Sequence, residues 1–324
     1  METMNIVFSA DDNYAQFMGV TICSLFENKK NNTPVDVYIL DGEISIENKK
    51  KLKFLSKKYA FNMNFIQINT NLFKDFYISR HITHATYYRI MIPDLLPNIQ
   101  KALYIDSDTI IIDDISELYH TNIDKYFFAA VEQYGKHRLE ELKMPAGTKY
   151  FNSWVMLINA KKWRKHKSSQ TVIKFIKTHQ GILRYQDQDA MNAIMWNKRL
   201  PLPAKYNHMT PLMDEYPRDN NELYGKIVII HYTKLKPWNY LCTNPFLEKY
   251  FYYLEKTPWK GRKYVDKNIK NIIIKSVRTC FSLVKNMIKN LRRREKNNSK
   301  NQIDKKNTSL VKKITSWKKT SKKS

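Results

Sequence analysis

The chain has 324 residues, of which 43% are hydrophobic and 13% aromatic, so it can bury the core of one large domain or two small ones. Its net charge of +26 is uneven, because residues 260–324 hold 22 Lys and Arg against three acidic residues, a distribution that suits nucleic acid, an anionic membrane surface or solubility alone. The three cysteines are widely spaced, which argues against a disulfide framework. The first residues do not resemble a signal peptide, and no apolar run reaches about 18 residues, so neither secretion nor a membrane span is expected.

The first part of the chain alternates strand-like and helix-like patterns. A polar turn, Asp11–Asn13, separates the first strand from the first helix. The predicted elements are, in order, a strand at Met4–Ala10, a helix from Tyr14, a strand at Val35–Leu40, a helix at Ile46–Tyr59 and a strand at Phe61–Ile68. This alternation predicts an α/β protein with a mostly parallel sheet and helices on both faces. Ligands of such sheets bind at the carboxyl ends of the strands, although no glycine-rich phosphate loop follows the first strand here.

Two aspartates follow the next apolar run, Ala102–Ile105. Asp106 and Asp108 come directly after it, and a second apolar run, Ile110–Ile112, comes next. Side chains two apart in an extended chain share a side, so we expect the two carboxylates to converge at the end of a strand. Such oxygens suit a divalent cation that carries phosphates. An ordinary polar turn is the alternative interpretation, since Asp-Ser-Asp-Thr is also turn chemistry.

Five further elements are predicted before the basic tail. They are a helix at Thr86–Leu96 that Pro97 ends, strands at Phe127–Glu132 and Trp154–Asn159, a helix at Arg184–Trp196, and a buried strand at Lys226–Tyr232. The helix after Arg184 carries Asp187 and Asp189 near its positive N-terminus. The last strand ends at His231, a position where a structural histidine and a metal ligand are both possible.

The chain beyond residue 260 differs in character. Apolar residues recur at every third or fourth position from Val265 to Leu291, with Lys and Arg between them, which predicts a basic amphipathic helix. Residues 296–324 are Lys, Asn, Ser and Thr with little apolar content and are expected to be disordered, although Leu310–Trp317 can form a second short helix. We therefore divide the chain into a globular domain at 1–260, a membrane-associating helical segment at 261–295 and a lysine-rich tail at 296–324.

Several motifs, in one order, resemble those of glycosyltransferase family 8, with the closest likeness to the bacterial lipooligosaccharide α-galactosyl- and α-glucosyltransferases. The resemblance covers about residues 4 to 260. The motifs are Asn5–Tyr14, Arg80–Arg89, Leu103–Asp108, Tyr150–Asn152, Tyr185–Asp189, His231-Tyr232 and Lys236–Trp238. Motifs in register are far more specific than any one of them alone.

The resemblance implies a GT-A type, Rossmann-like fold, a UDP-sugar donor, Mn²⁺ or Mg²⁺, and retention of anomeric configuration. The metal ligands it implies are Asp106, Asp108 and His231. The implied nucleotide-binding residues are Ala10, Asp11, Asn13, Ser107 and Lys236, with Lys236 reaching the diphosphate. The implied donor-sugar residues are Arg89, Asp106, Asn152, Asp187 and Gln188. For Asp11 and Asn13, capping of the first helix is a compatible role.

Retention requires either a covalent intermediate, for which Gln188 or Asp187 is the nearest candidate, or front-side attack guided by the leaving group. Because an amide is a weak nucleophile, front-side attack is favoured, with Gln188 positioning the sugar and Asp187 binding its hydroxyls. The implied substrates are UDP-galactose or UDP-glucose and a saccharide acceptor such as a lipooligosaccharide core. The basic tail then predicts a cytoplasmic enzyme held peripherally on the inner face of a bacterial membrane, and nucleic acid is the less favoured partner.

Two departures from the family pattern concern the site. Ser153-Trp154 stands where the family usually has a small residue and a glycine, so the tryptophan either points into the core or reshapes the donor pocket. The stretch His231–Lys236 is one residue shorter than usual and lacks a glycine.

Two other functions compete with the transferase. Asp106–Ile110 also fits the nucleophile motif of haloacid dehalogenase-like phosphatases, in which the first aspartate attacks phosphate and the second acts as acid and base. A non-catalytic protein that binds nucleic acid through its basic tail is the other alternative.

Overall fold

The computed structural model describes residues 2–77, 84–133, 138–210, 226–281 and 287–288. The strands are β1 (Met4–Asp11), β2 (Val35–Gly42), β3 (Asn62–Gln67), β4 (Lys101–Ile105), β5 (Thr109–Ile111), β6 (Phe128–Glu132), β7 (Phe151–Asn159), β8 (Arg199–Leu202), β9 (His208–Thr210) and β10 (Ile229–Tyr232). The helices are α1 (Ala15–Asn28), α2 (Ile46–Tyr59), α3 (Ala85–Tyr88), α4 (Ile92–Leu95), α5 (Ser116–Tyr119), α6 (Ala160–Lys165), α7 (Ser168–His179), α8 (Gln186–Met195) and α9 (Leu247–Leu254).

The main sheet of this described part has seven strands in the order β3-β2-β1-β4-β7-β6-β8. Its pairs are parallel except at β7, which runs antiparallel to both neighbours. Strand β10 forms a smaller sheet with β5 and β9. The predicted α/β class with a mostly parallel sheet is confirmed.

Both faces of the central strand β1 are buried. Along β1, Ile6 and Phe8 belong to one apolar cluster, whereas Val7 between them belongs to a second. A strand buried on both faces needs a continuous apolar run, which explains the run that predicted this strand. Because β1 and β4 are parallel neighbours, their carboxyl ends lie at the same edge of the sheet.

Helix α2 illustrates how local sequence sets the element bounds. The Ser45 side chain accepts a hydrogen bond from the amide of Asn48 at the N-terminus, and Ala60 takes a left-handed conformation at the C-terminus. Leu52 and Leu55 face the core, and the remaining positions are mostly polar. The helix has the predicted bounds, because cap and apolar spacing agree.

The single helix predicted at Thr86–Leu96 is wrong in detail. Helix α3 passes into a 3-10 turn at Arg89–Met91, and α4 begins at Ile92. Pro93 has no N–H to donate to the carbonyl of Arg89, so that carbonyl accepts from Ile92 in a tighter turn instead. The break leaves Arg89 buried where the segments meet.

Asp106 and Asp108 were predicted to converge because they share one side of an extended strand, but the segment that holds them is not extended. Strand β4 ends at Ile105, residues 107 and 108 form a turn, and β5 continues in the smaller sheet. The Thr109 hydroxyl donates to the carbonyl of Asp106 at 2.9 Å and closes this turn. The two carboxylates thus meet across a turn rather than along an extended chain.

The basic C-terminal helix covers residues 269–281 of the described chain. Of the described residues, those up to 238 and those at 242–263 form one compact unit, and those at 239–241 and from 264 onward form a second. The predicted Leu310–Trp317 helix, the tail at 296–324 and the start of the Arg80–Arg89 motif lie outside the described residues. None of the described helices has the length and apolar character to cross a bilayer.

Candidate active site

Four chain segments bring polar side chains together at one edge of the main sheet. Asp11 ends β1, Asp106 follows β4, Asn152 lies near the start of the antiparallel β7, and His231 lies in β10. The amide of Asp106 donates to the carbonyl of Trp154 at 2.9 Å, so the ends of β4 and β7 are tied together. This edge is where parallel sheets bind ligands.

Asp106, Asp108 and His231 form a cluster of potential metal ligands. One ligand atom from each lies within 4.8 Å of the other two. The imidazole is 1% exposed, and both carboxylates are half-buried. Two carboxylates and one imidazole form a donor set that suits Mn²⁺ and similar cations.

Asp108 is held ionised mainly by a neighbouring ammonium group. Its Oδ1 lies 3.1 Å from His231 Nε2, and its Oδ2 pairs with the ammonium of Lys236. Burial acts to raise the pKa of Asp108, but its neighbours, the charge of Lys236 first among them, outweigh burial and hold the pKa well below its ordinary value. Despite the nearby imidazole, Oδ1 is buried and accepts no hydrogen bond from the described residues. An unsatisfied carboxylate oxygen close to two other ligand atoms fits a bound cation.

The loop after β10 carries Lys236 to this cluster. Lys234 has a φ of 60°, so it adopts the left-handed conformation that glycine takes most easily. Farther along, the Trp238 ring stacks on Phe17 of α1, with centroids 3.5 Å apart and planes 3° from parallel. In this loop, Lys234 takes the left-handed conformation in place of a glycine, and the stack of Trp238 on Phe17 holds the loop against α1.

Arg89 links the cluster to a second pair of buried groups. It is 3% exposed, its Nη1 lies 3.4 Å from Asp106 Oδ1, and its Nε lies 3.2 Å from Asp187 Oδ2. Nη1 also donates to the carbonyl of Ser153 at 2.8 Å. Burial raises the pKa of Asp106, Arg89 opposes this and the charge of Asp108 adds to it. Arg89 therefore balances two carboxylates that would otherwise repel each other in a buried site.

Asp187 and Gln188 lie in the first turn of helix α8 and are each 1% exposed. Burial raises the pKa of Asp187 to about 7, with Arg89 opposing and Asp106 adding to the shift. The Gln188 Oε1 accepts from the amide of Ser153 at 3.0 Å, and its Nε2 donates to the Tyr150 hydroxyl at 3.2 Å. Both side chains of the pair are therefore held by the protein.

Asn152 connects β7 to residues that the sequence did not mark. Its Oδ1 accepts from the side-chain amide of Asn207 at 2.8 Å, and its Nδ2 donates to Gln133 Oε1 at 3.2 Å. Asn207 contacts His231 Nδ1 in turn, at 3.0 Å. Sequence reasoning missed Asn207 and Gln133, because no periodic pattern distinguishes them from surface amides.

Trp154 does not point away into the core. Its ring lies edge-on to the His231 imidazole, with centroids 4.5 Å apart and planes at 61°, and it is half-buried. The departure from the family pattern therefore places an indole directly beside the candidate metal cluster.

The predicted nucleotide-binding residues lie at the same edge of the sheet but make different contacts. Asp11 Oδ1 accepts from the amide of Tyr14 at 3.0 Å and caps the short 3-10 helix, whereas Asn13 is exposed. Ala10 is buried, and the Ser107 hydroxyl donates to the carbonyl of Ser9 at 2.8 Å, which joins the ends of β1 and β4. That these residues bind the nucleotide stays a prediction.

Comparisons with known proteins agree on one family. The sequence model described as Glycosyl transferase family 8 matches residues 5–242. General stress protein A of Bacillus subtilis strain 168 is 37% identical over 272 residues, which cover 80% of this chain and 95% of that protein. Lipopolysaccharide 1,2-glucosyltransferase of Escherichia coli K12 is 27% identical over 272 residues, or 80% of each chain. The crystal structure of galactosyltransferase LgtC in complex with donor and acceptor sugar analogues superposes with a TM-score of 0.72 at 26% identity, and the match covers 79% of this chain and 96% of that chain.

Proposed function

Because the chain belongs to glycosyltransferase family 8, we propose that it is a UDP-sugar-dependent, retaining hexosyltransferase that uses a divalent cation. It moves galactose or glucose to a saccharide acceptor, with a lipooligosaccharide core as the class of acceptor. The observation that carries this proposal is the cluster of Asp106, Asp108 and His231, whose ligand atoms lie within 4.8 Å of one another beside an unsatisfied carboxylate oxygen.

The three residues of this cluster would hold Mn²⁺ or Mg²⁺. When bound, the cation offsets negative charge on the diphosphate of the donor. The neighbouring Lys236 supplies a further positive charge, which stabilises the UDP leaving group. Ala10, Asp11, Asn13 and Ser107 are the positions proposed to line the nucleotide site.

Front-side attack is the mechanism that the contacts of Gln188 and Asp187 support. Gln188 Oε1, the atom that a covalent route would use, already accepts from Ser153, and Asp187 already pairs with Arg89. We infer that Gln188 positions the donor sugar and that Asp187 accepts hydrogen bonds from its hydroxyls, while Arg89 and Asn152 keep this pocket in place. A glycosyl adduct trapped on either residue in a slowed variant would overturn this mechanism.

Trp154 limits the space beside the cluster and thereby the choice of donor sugar. Its half-buried indole has no hydrogen-bond partner among the described residues, so its N–H is free to donate to a sugar hydroxyl. Replacing Trp154 by Gly is expected to widen the accepted donors, whereas Trp154→Phe keeps the ring without the N–H. Relative rates with UDP-galactose, UDP-glucose and UDP-N-acetylglucosamine separate these effects, and identical donor preference in all three proteins would contradict the role.

The basic helix at residues 269–281 supports peripheral association with an anionic membrane, on the cytoplasmic face of a bacterial cell. Ile269, Ile273 and Phe281 are each more than half exposed on this lysine- and arginine-bearing segment, a pattern typical of helices that lie in the interface plane. Ile269→Glu is expected to weaken sedimentation with phosphatidylglycerol vesicles, while Ile46→Glu, at a site equally exposed in the catalytic unit, should leave it unchanged. Equal binding by both variants would remove the helix from the proposal.

A donor screen tests the reaction itself. UDP release is measured with the three UDP-sugars, with Mn²⁺ and with excess chelator, and release from at least one donor that requires the cation is expected. Release of phosphate from p-nitrophenyl phosphate without UDP-sugar turnover would instead favour the dehalogenase-like phosphatase.

A further inference from the structure

A chain of buried amides fixes the orientation of each side chain between β7 and His231. It begins at the main-chain N–H of Trp154, a group that can only donate, which lies 3.0 Å from Asn152 Oδ1. That contact identifies the oxygen of the Asn152 amide. Asn152 Oδ1 is also 2.8 Å from the amide of Asn207, so the Asn207 atom that faces it must be the donor Nδ2.

The same reasoning reaches the imidazole. With Nδ2 directed at Asn152, Asn207 presents Oδ1 to His231 Nδ1 at 3.0 Å. An amide oxygen only accepts, so Nδ1 must carry a hydrogen. In a neutral imidazole the lone pair then lies on Nε2, the atom 3.1 Å from Asp108 Oδ1.

This order leaves two acceptors facing each other across the candidate metal cluster. Asp108 Oδ1 accepts no hydrogen bond from the described residues, as expected if Nε2 offers a lone pair rather than a hydrogen. Asn152 and Asn207 are both 0% exposed and His231 is 1% exposed. Solvent water therefore does not substitute for the two amides that fix which ring nitrogen of His231 carries the hydrogen. A cation held by His231, Asp106 and Asp108 would satisfy both acceptors.

We propose that Asn207 is a positioning residue for the metal centre, which holds His231 in the tautomer protonated on Nδ1 with its Nε2 lone pair toward Asp108. The inference rests on the metal-dependent function proposed above. Asn207 touches neither the donor nor the cation in this scheme and acts only through His231. Groups that orient a ligating histidine in this way contribute strongly to metal affinity.

The test is the affinity of the full-length protein for Mn²⁺, titrated calorimetrically in the presence of UDP. Asn207→Leu removes both hydrogen bonds while keeping the branching at Cγ, and it is expected to raise the Mn²⁺ dissociation constant about 10- to 100-fold. Asn207→Asp keeps an acceptor for Nδ1 but turns a second acceptor toward Asn152 Oδ1, so its dissociation constant should lie between those of wild type and Asn207→Leu. A constant as high as that of Asn207→Leu would contradict the role of the Nδ1 hydrogen bond.

Asn192→Leu is the matched control. Asn192 is also 0% exposed, and its amide bonds the main chain of Phe151 and Gln188 rather than the histidine. Its loss should lower the melting temperature while the Mn²⁺ dissociation constant of the folded protein stays at the wild-type value. If Asn192→Leu lost as much Mn²⁺ affinity as Asn207→Leu, the loss would reflect disturbed packing in general, and the inference would be overturned.

The tautomer of His231 can also be measured directly, without any substitution at Asn207. Long-range ¹H–¹⁵N correlation spectra of protein labelled in histidine, loaded with Mg²⁺ and UDP, report the tautomer of His231, which His231→Gln assigns. Hydrogen on Nδ1 is expected, and hydrogen on Nε2 overturns the inference. Wild-type protein that binds no Mn²⁺ with UDP contradicts the proposed function and this inference together, whereas unchanged binding by Asn207→Leu contradicts the inference alone.

Discussion

Replacing Asp187 by Asn is expected to change how the stability of the protein depends on pH. Asp187 is 1% exposed, and burial raises its pKa from 3.8 to about 7 although Arg89 Nε lies 3.2 Å away. Between these two values the folded protein holds a proton on Asp187 that the unfolded chain has already released. Stability therefore falls as pH rises through this window and levels off above it.

The size of the effect follows from the shift. A change of three pKa units corresponds to about 4 kcal/mol of unfolding free energy, since each unit is worth about 1.4 kcal/mol. Asp187→Asn removes this titration, so the variant should gain up to about 4 kcal/mol relative to wild type between pH 4 and pH 8. Urea unfolding followed by tryptophan fluorescence at half-unit pH intervals measures the difference.

Asp113→Asn provides a control of opposite sign. Hydrogen bonds from Lys30 and Lys226 hold the pKa of Asp113 below its ordinary value, so its contribution is lost only as pH falls through the acid range. The curves of Asp113→Asn and wild type should run parallel from pH 5 to pH 8. If Asp187→Asn also runs parallel to wild type there, burial does not govern the ionisation of Asp187 and the reasoning is refuted.

Three further substitutions test other parts of the site. Arg89→Met should cost about 3 to 5 kcal/mol in urea unfolding, because two buried carboxylates lose their partner, whereas the exposed Arg262→Met should cost under about 1 kcal/mol; equal costs would contradict the buried role. Phe17→Leu should cost about 1 kcal/mol and weaken calorimetric UDP binding several-fold, since it loosens the stack that anchors the loop of Lys236, and unchanged UDP affinity would exclude that anchor. Lys234→Gly should raise the unfolding free energy by up to about 1 kcal/mol by relieving the left-handed backbone, and a loss of stability would argue against strain there.

Patterns local in sequence predicted most of the main sheet. Strand β1 and helix α2 have continuous apolar runs or caps with helical spacing, and both form close to their predicted bounds. Helix α7 was missed although Val172 and Ile176 have helical spacing on its buried side, so the signal was present. Strands β5 and β9 have three residues each, too few to show a periodic pattern, and they are strands only through their pairing with β10, which lies far away in sequence.

Some residues of the candidate site were predicted from sequence and others were not. Asp106, Asp108 and His231 were predicted together from motifs, and the structure brings their ligand atoms together. The supporting amides Asn207 and Gln133 were not predicted, because a hydrogen-bond network between distant segments leaves no pattern in sequence. The position of the Trp154 ring against His231 could not be predicted either, since it depends on how the ends of β4, β7 and β10 meet.

The rate of UDP release from UDP-galactose and UDP-glucose, compared between wild type and Asp108→Asn, tests the central claim most directly. The account predicts that wild type releases UDP with Mn²⁺ and not with excess chelator, and that Asp108→Asn loses at least about 100-fold in rate because its amide no longer supplies a charged ligand. Release of UDP that neither the chelator nor the substitution affects would contradict a metal-dependent transferase built on Asp106, Asp108 and His231.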